Sequence, residues 1–349
     1  MSLKDKVKVA LNRSGFEFAR ASTVHYSTLP DFQKALKSQE QATALLDSQI
    51  VTDLDIDGNL LGTEEPGMEP LRLSRDAFSD LCRLSKIGES FAKRRATLNE
   101  NLTLALMRDC ISHEFRDGDF RLVVNTEHRR VEGIVESKGY AHLPNAKALE
   151  YAMSTQESLT LSQAWIEGAD TRFALLNKNR PTEVRKGDIV HFGVNVGSSL
   201  AKNGMFAVTD YNERLVCTNG MLRRQEGMVA RIPHSGDVRF NLQRAILTSH
   251  DRSGGLGAKM KTASTQLLTA ANIRTLRQYL EDPKFGGSPS LSAKVTKAAM
   301  REATAEGRSE EEPTHWNFVN AVTAEAHETA SMTKRESLEA LGFSILSAI

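Results

Sequence analysis

The sequence predicts an α+β protein in which a curved antiparallel sheet, built as a meander, has helices before and after it. Helix-like patterns come first, a long series of short strand-like patterns follows, and helix-like patterns return after residue 237. The strands do not alternate one-for-one with helices, which argues against a doubly wound parallel sheet. Self-similarity at a fixed period, which would indicate a repeat protein, is absent from the sequence.

Composition limits the classes of protein to which this chain can belong. The 349 residues are 40% hydrophobic and 26% charged, which is ordinary for a soluble globular protein. The net charge is +1, so nucleic-acid binding would have to come from a local basic patch. Cys82, Cys110 and Cys217 are far apart, which argues against a disulfide framework and fits a reducing cytoplasm.

The apolar segments are too short for a membrane protein. No apolar run approaches the roughly 20 residues that a membrane helix needs. The first 15 residues hold too short an apolar segment for a signal peptide. We therefore expect no membrane partner and a cytoplasmic location in a bacterial or phage-infected host cell.

Residues 1–70 are expected to form an N-terminal segment with one helix and one hairpin. Apolar residues recur at helical spacing over 31–46, which predicts an amphipathic helix. Residues 49–61 instead alternate between apolar and polar side chains, and the Asp57-Gly58 pair favours a tight turn between two strands.

The stretch from Asp53 to Glu64 also fits the calcium-loop pattern D-x-D-x-[DN]-G-x5-E. Its aspartates and final glutamate would suit a hard cation that prefers oxygen ligands. However, Pro66 and Gly67 stand where the exiting helix of such a site must begin. The hairpin is therefore the favoured interpretation, and no metal site is predicted.

A central α+β domain is expected over 71–282 and a C-terminal helical segment over 283–349. Within the central domain, Ser74 resembles an N-cap, and the polar sequence Thr218-Asn219-Gly220 should end a strand. The helices are predicted over 76–86, 98–113, 146–153, 237–281 with a break at 253–257, 291–306, 315–329 and 334–346. The strands are predicted over 121–124, 131–135, 159–167, 171–176, 189–196, 205–209 and 214–217.

One motif in this chain resembles a signature of a known family. Arg214–Met221 reads RLVCTNGM and is similar to the Cys-x-Asn-Gly signature, here Cys217, Asn219 and Gly220, of a family of unknown function carried by phages and plasmids. The resemblance implies a phage or plasmid setting. It implies no activity, because the family is uncharacterised.

Further motifs resemble the same family in the same order. Asn320–Thr323 reads NAVT, follows Trp316, and looks like the second signature, while Gly118–Val124 resembles a weaker third. The resemblance extends from about Leu73 to His327. Trp316, with nearby apolar residues, also indicates that one face of its helix is buried.

Basic residues are concentrated between residues 202 and 244, with Phe206 and Tyr211 among them. Guanidinium groups can hold phosphates, and aromatic rings can stack bases at about 1–3 kcal/mol each. A solvated sheet face with partial charge pairing is the alternative. The candidate nucleic-acid-binding residues are Lys202, Arg214, Arg223, Arg224, Arg231 and Arg239, with His234 and Arg244 nearby.

The sequence offers little support for catalysis. Cys217 would need a histidine base such as His191 or His234 to act as a nucleophile, and a small buried strand residue is the favoured interpretation. The glycine-rich stretch Ser253–Lys261 lacks the P-loop spacing and is interpreted as a flexible joint, with a phosphate site as alternative if a helix starts at Ala258. We predict no catalytic residue and no cofactor.

The leading hypothesis is a non-enzymatic phage- or plasmid-type protein that binds or anneals single-stranded DNA, as in recombination. A homo-oligomer is compatible with this hypothesis, and a curved sheet with a basic rim is compatible with it at the level of fold analogy. The alternative is a protein-interaction, assembly or host-takeover module that has no nucleic-acid ligand.

Overall fold

Two six-stranded sheets organise the part of the chain that a computed structural model describes. The described residues are 23–47, 51–54, 60–63, 70–84, 105, 108–109, 111–115, 120–136, 138–156, 158–199, 205–214, 222–283, 287–307, 312–328, 337–338, 341–342 and 344–346.

The strands and helices follow one another in this order along the chain. The strands are β1 (Thr23–Tyr26), β2 (Thr43–Asp47), β3 (Val51–Leu54), β4 (Leu60–Thr63), β5 (Leu71–Leu73), β6 (Phe120–Asn125), β7 (Arg130–Glu136), β8 (Leu159–Glu167), β9 (Asp170–Arg185), β10 (Asp188–Ser199), β11 (Met205–Arg214) and β12 (Leu222–Pro233). The helices are α1 (Leu29–Gln41), α2 (Arg75–Leu84), α3 (Asn145–Ser154), α4 (Val238–Thr265), α5 (Ala270–Glu281), α6 (Pro289–Ala305) and α7 (His315–Glu328), with a π-helical turn at Ile111–Phe115.

The first sheet, here called the meander sheet, has the order β1-β8-β9-β10-β11-β12, and every neighbouring pair is antiparallel. Five consecutive strands of the chain are therefore neighbours in space. Val194 pairs with Leu175, and Val196 pairs with both Phe173 and Val208, which places apolar side chains on one face. The predicted α+β class with an antiparallel meander is confirmed.

The second sheet has the order β2-β6-β7-β5-β4-β3, with one parallel pair, β5 with β7. Helix α2 packs on it and is held by two side chains. Asp80 Oδ2 accepts from the backbone N–H of Ile134 at 3.1 Å. Ser74 Oγ accepts from Ala77 N at 3.1 Å, which confirms Ser74 as the N-cap.

One difference from the predictions arises where pairing between distant segments overrides the local pattern. Helix α1 ends at Gln41, so the predicted helix over 31–46 is wrong at its end. Residues 43–47 form β2 instead, because Leu45 pairs with Val123 across the second sheet. The predicted hairpin is confirmed, since β3 pairs with β4 and Asp53 lies opposite Gly62. Its loop, 55–59, lies outside the described residues.

The third strand of the central meander also differs from its prediction. Strand β11 continues from Met205 to Arg214, whose backbone pairs with Val190, so no separate strand begins at Arg214. The next described strand is β12. The intervening residues 215–221, with Cys217, Asn219 and Gly220, lie outside the described residues.

Helices cover one face of the meander sheet. Helices α1 and α3 and the first half of α4 bury Phe32, Leu149 and Ile246 against it. The second half of α4 packs with α5, α6 and α7 in another core, which contains Trp316 and Phe318. The burial of Trp316 and Phe318 was predicted, but α7 is buried on more than the one face expected, because residues 316–323 are all buried.

Helix α4 is continuous over 28 residues, so the predicted break at 253–257 is wrong. A helix start at Ala258 is likewise excluded. A Cβ on Gly257 would lie 3.2 Å from Thr182, which shows that glycine there permits close packing on the sheet. Buried residues before and after the glycines anchor both halves of the helix, and this packing outweighs the low helix propensity of glycine.

Arg185 joins the end of β9 to helix α6. Its guanidinium lies 3.3 Å from Asp188 Oδ2 and 3.0 Å from Glu302 Oε1, and it also contacts Glu306. One arginine therefore contacts three carboxylates, one at the start of β10 and two at the end of α6 and its C-cap. We call these four residues the Arg185 cluster.

Residues of the NAVT region bind the same cluster. Trp316 Nε1 donates to Asp188 Oδ2 at 2.7 Å, and Asn320 Nδ2 donates to Glu302 Oε1 at 3.0 Å. Trp316 thereby fixes α7 to Asp188 at the start of β10, and Asn320 fixes it to α6. Both side chains are buried.

Replacing Gly257 with leucine should lower the free energy of unfolding by about 1–3 kcal/mol, because the new side chain overpacks the contact with Thr182. Urea unfolding measures the effect. Gly255→Leu is the matched control: a Cβ there meets nothing within 4 Å, so we expect a gain of up to about 1 kcal/mol from helix propensity. Equal destabilisation by both variants would contradict the packing.

Replacing Arg185 with methionine should lower the free energy of unfolding by about 2–4 kcal/mol, because three carboxylates lose their shared counter-charge. Adding Glu306→Gln should recover part of this loss. Arg301→Met removes an exposed arginine from the same helix, α6, and should change stability by less than about 0.5 kcal/mol. Thermal and urea unfolding measure these changes. Equal stability of Arg185→Met and Arg301→Met would contradict the stabilising role of the Arg185 cluster.

Candidate functional site

The predicted basic residues are arranged along β11, β12 and the start of α4. Arg214 pairs with Val190, Arg223 pairs with Tyr211, and Arg231 pairs with Ala207. Arg224 follows Arg223 in β12 and Arg239 lies in the first turn of α4. Lys202 lies outside the described residues.

These residues fall into two groups at opposite ends of β12. Arg223 and Arg231 are eight positions apart, which corresponds to roughly 26 Å along a strand. Arg214 and Arg224 belong with Arg223, whereas Arg239 follows the end of β12 near Arg231. The structure therefore does not bring all of the predicted residues into one compact patch.

A groove of about 360 Å³ lies between β12 and the first half of α4. Its strand wall is residues 229–233. Its helix wall is Asn241, Arg244, Ala245 and Thr248, whose i, i+3, i+4, i+7 spacing places them on one helical face. We call this feature the β12–α4 groove.

The charged residues that line the groove are both basic. Arg231 lies on the strand wall and Arg244 on the helix wall, and both are exposed. Among the described residues that line the groove there is no carboxylate, and the neutral side chains of Asn241 and Thr248 complete the polar part of this lining. Such a lining suits a chain of phosphates.

The aromatic rings predicted to stack on bases are in the wrong place. Phe206 is 0% exposed and Tyr211 is 2% exposed, so neither ring can meet a ligand. Phe240, in the first turn of α4, is instead 57% exposed and lies one helical turn before Arg244. It supplies an accessible ring beside the groove.

Phe240 could have been recognised from its phase in the helix. The buried stripe of α4 begins with Val238, Leu242 and Ala245, at i, i+4 and i+7. Phe240 is two residues from Val238, which places it on the opposite side. An aromatic residue outside the buried stripe is the signal that the sequence contained.

Arg239 is positioned by a ring from another helix. Its guanidinium carbon lies 4.7 Å from the centroid of Tyr151 in α3. This cation–π contact holds the arginine at the start of α4 while the residue remains exposed. Arg239 thus extends the basic surface of the groove toward α3.

His234, directly after β12, does not add positive charge. It is 3% exposed, its ring lies 4.7 Å from Phe206 and 5.4 Å from Tyr140, and its Nδ1 lies 3.2 Å from Ala141 O. Burial lowers the pKa of His234 to about 4, so the imidazole is neutral at pH 7. Its inclusion in the basic cluster was wrong.

The pKa values of two neighbours of His234, Tyr140 and His142, are also shifted in the direction that favours the uncharged side chain. Burial raises the pKa of Tyr140 to about 12 and lowers the pKa of His142. The ring of Tyr140 stacks on both histidines. This uncharged ring cluster closes one end of the strand wall.

The described residues contain no candidate metal site and no candidate membrane-spanning helix. They contain no group of three or more histidines, cysteines, aspartates or glutamates that could hold a metal ion. None of their helices is both long and apolar enough to cross a membrane. Cys82 is a buried cysteine of α2 that is not part of a disulfide.

A family model with the description "Domain of unknown function (DUF932)" matches residues 134–341, which is more than half of the chain. The match contains β8–β12 and α3–α7, and therefore the β12–α4 groove. Curated proteins and solved structures give no match.

His234→Gln should flatten the acid side of the stability profile. The folded protein keeps His234 neutral down to about pH 4, whereas the unfolded chain binds a proton near pH 6.5, so stability falls as pH falls between these values. Between pH 7 and pH 4, the free energy of unfolding of the variant should fall by about 2–3 kcal/mol less than that of the wild type. Urea unfolding of the wild type and the variant at several pH values measures this difference. Parallel plots of unfolding free energy against pH would contradict the prediction. His142 and His315 are present in both proteins and contribute equally to both plots.

Proposed function

The chain belongs to the family Domain of unknown function (DUF932), and we propose that it binds single-stranded DNA without catalysing a reaction on it. The β12–α4 groove is the contact surface. The observation that carries this proposal is the lining of the groove, whose described charged residues, Arg231 on the strand wall and Arg244 on the helix wall, are both basic and exposed. The proposed setting is the cytoplasm of a bacterial or phage-infected cell, where the protein serves strand protection or annealing in recombination of a phage or plasmid.

A single strand fits this surface better than a duplex does. Phosphates bind Arg231 and Arg244 along the groove, and an unstacked base covers the exposed ring of Phe240. A duplex keeps its bases stacked on one another and leaves that ring uncovered. Asn241 and Thr248 add neutral hydrogen-bonding groups that favour no particular base.

The footprint continues along β12 in this proposal. Arg223 and Arg224, with Arg214 on β11, are the far contacts, roughly 26 Å from Arg231. Single-strand sites of this kind cover about 4–16 nucleotides. A homo-oligomer, in which several copies line one strand, is the expected binding form.

A protein-interaction or assembly module is the second candidate, and one observation favours it. Phe240 and Leu247 are 57% and 45% exposed, and they lie seven residues apart on α4. Two apolar side chains on one helical face are also typical anchors for a partner protein. The two candidate functions differ in whether binding requires the arginines of the groove, Arg231 and Arg244, which lie near Phe240 and Leu247.

Arg231→Glu with Arg244→Glu should weaken binding to a fluorescein-labelled thymidine oligonucleotide by about 100-fold or more, because two phosphate contacts become repulsive. Fluorescence anisotropy at two salt concentrations measures affinity, and the salt slope should fall by about 0.7 per lost contact. The matched control is Arg274→Glu with Arg301→Glu, which makes the same charge change at exposed positions of α5 and α6.

Two further variants divide the surface. Phe240→Ala should weaken binding by about 1–3 kcal/mol through lost stacking, and Arg223→Glu with Arg224→Glu tests the far contacts. Folding is checked by circular dichroism and thermal unfolding. Unchanged affinity in the folded groove variant, or no binding by the wild type at low salt, would refute DNA binding. Retained self-assembly in the latter case would favour the interaction module.

A further inference from the structure

A separate cavity of about 380 Å³ lies further along α4, between that helix and strands β8–β10. We propose that it binds one nucleoside: a flat heterocyclic ring with an uncharged sugar. Its volume lies at the lower end of the range of about 300–1,000 Å³ that is typical of small-molecule sites. A ligand of nucleoside size fits, whereas a dinucleotide would exceed the space.

The inner walls of the cavity are apolar. Leu159 on β8, Phe192 and Val194 on β10, and Ile246 on α4 line it, and all four are buried residues of the core. They enclose the space from the sheet and from the helix. Such walls favour the faces of a flat ring, which gain from leaving water.

Two carboxamides supply a hydrogen-bonding edge. Asn177 is buried, and its Nδ2 donates to Gln156 Oε1 at 3.4 Å, while its Oδ1 accepts from Asn179 N at 3.0 Å. Gln156 is half-buried and lines the same cavity. Asn177 already uses one amide proton on Gln156 and one acceptor site on Asn179, so a base edge would meet the second amide proton of Asn177 and the amide group of Gln156.

The charges at the rim cancel. Arg180 and Asp251 carry opposite charges and are both exposed, and the side chain of Asp251 is 84% exposed. A strongly charged ligand would meet one repulsive partner, so an uncharged ligand is favoured. A rim carboxylate is also a good acceptor for sugar hydroxyls.

Gly254 keeps the cavity open. It lines the space, and a Cβ built on it meets nothing within 4 Å, so packing of the fold does not require glycine there. Its neighbour Gly255 has the same free surroundings and does not line the cavity. The glycine-rich stretch that resembled a joint thus has one member in the lining of the cavity, where we expect a larger side chain to reduce the space.

The test is isothermal titration calorimetry of the full chain with adenosine, guanosine, cytidine and uridine. At least one nucleoside should bind saturably, and Gly254→Leu should weaken its binding by about tenfold or more, which corresponds to about 1.4 kcal/mol. Gly255→Leu is the matched control and should stay within about twofold of the wild type. Absence of binding by all four nucleosides at millimolar concentration, or unchanged affinity in Gly254→Leu, would overturn the proposal.

Two further measurements test the chemistry of the ligand. Gln156→Met removes the amide at similar size and should weaken nucleoside binding by about fivefold or more, as loss of a hydrogen bond predicts. Phenol offers a ring without a base edge, so equal affinity for phenol would overturn the assignment to nucleosides.

This proposal does not depend on DNA binding by the groove. Arg231→Glu with Arg244→Glu should leave nucleoside affinity unchanged, and Gly254→Leu should leave oligonucleotide affinity unchanged. Nucleoside binding and oligonucleotide binding are measured separately. Failure of the nucleoside proposal is therefore distinguishable from failure of the DNA-binding proposal.

Discussion

The attachment of the meander sheet to the C-terminal helices depends on the Arg185 cluster. Arg185 and Asp188 are at adjoining ends of β9 and β10, and their partners Glu302 and Glu306 are on α6. Taking these charges out of water is unfavourable unless every partner is present. The cluster therefore links β9 and β10 to α6 beside the apolar core that the sheet shares with these helices, and Trp316 adds a link from α7 by donating to Asp188.

Helix α4 then becomes the common wall of both proposed sites. Its first half forms the groove with β12, its middle covers the cavity over β8–β10, and its second half enters the core that surrounds Trp316. Gly257 permits the close contact with Thr182 that keeps the helix on the sheet. A displacement of this helix would alter the two sites together, although they have different linings.

The charged part of the groove was accessible from sequence, whereas its aromatic part was only partly so. Arg231 and Arg244 lie in the predicted basic region, and the structure places them on opposite walls. Phe206 and Tyr211 look equally suitable in sequence, but they lie on opposite faces of β11 and both are buried. Phe206 packs in the core beneath the helices, and Tyr211 packs against Ala174 and Leu176 on the other face, which alternation along one strand cannot foretell. His234 illustrates the same limit for charge, because its pKa depends on burial between Phe206 and Tyr140.

The sequence by itself determined the α+β class, the meander, the N-cap at Ser74 and most helix positions, because periodicity, turn residues and caps act over a few neighbouring residues. Only the tertiary structure decided that residues 43–47 form a strand and that α4 runs through its glycines. It also decided that the basic residues separate along β12 and that a cavity forms beside Gly254. These features arise from contacts between residues far apart in the chain, whose energies outweigh local propensity and leave no local pattern.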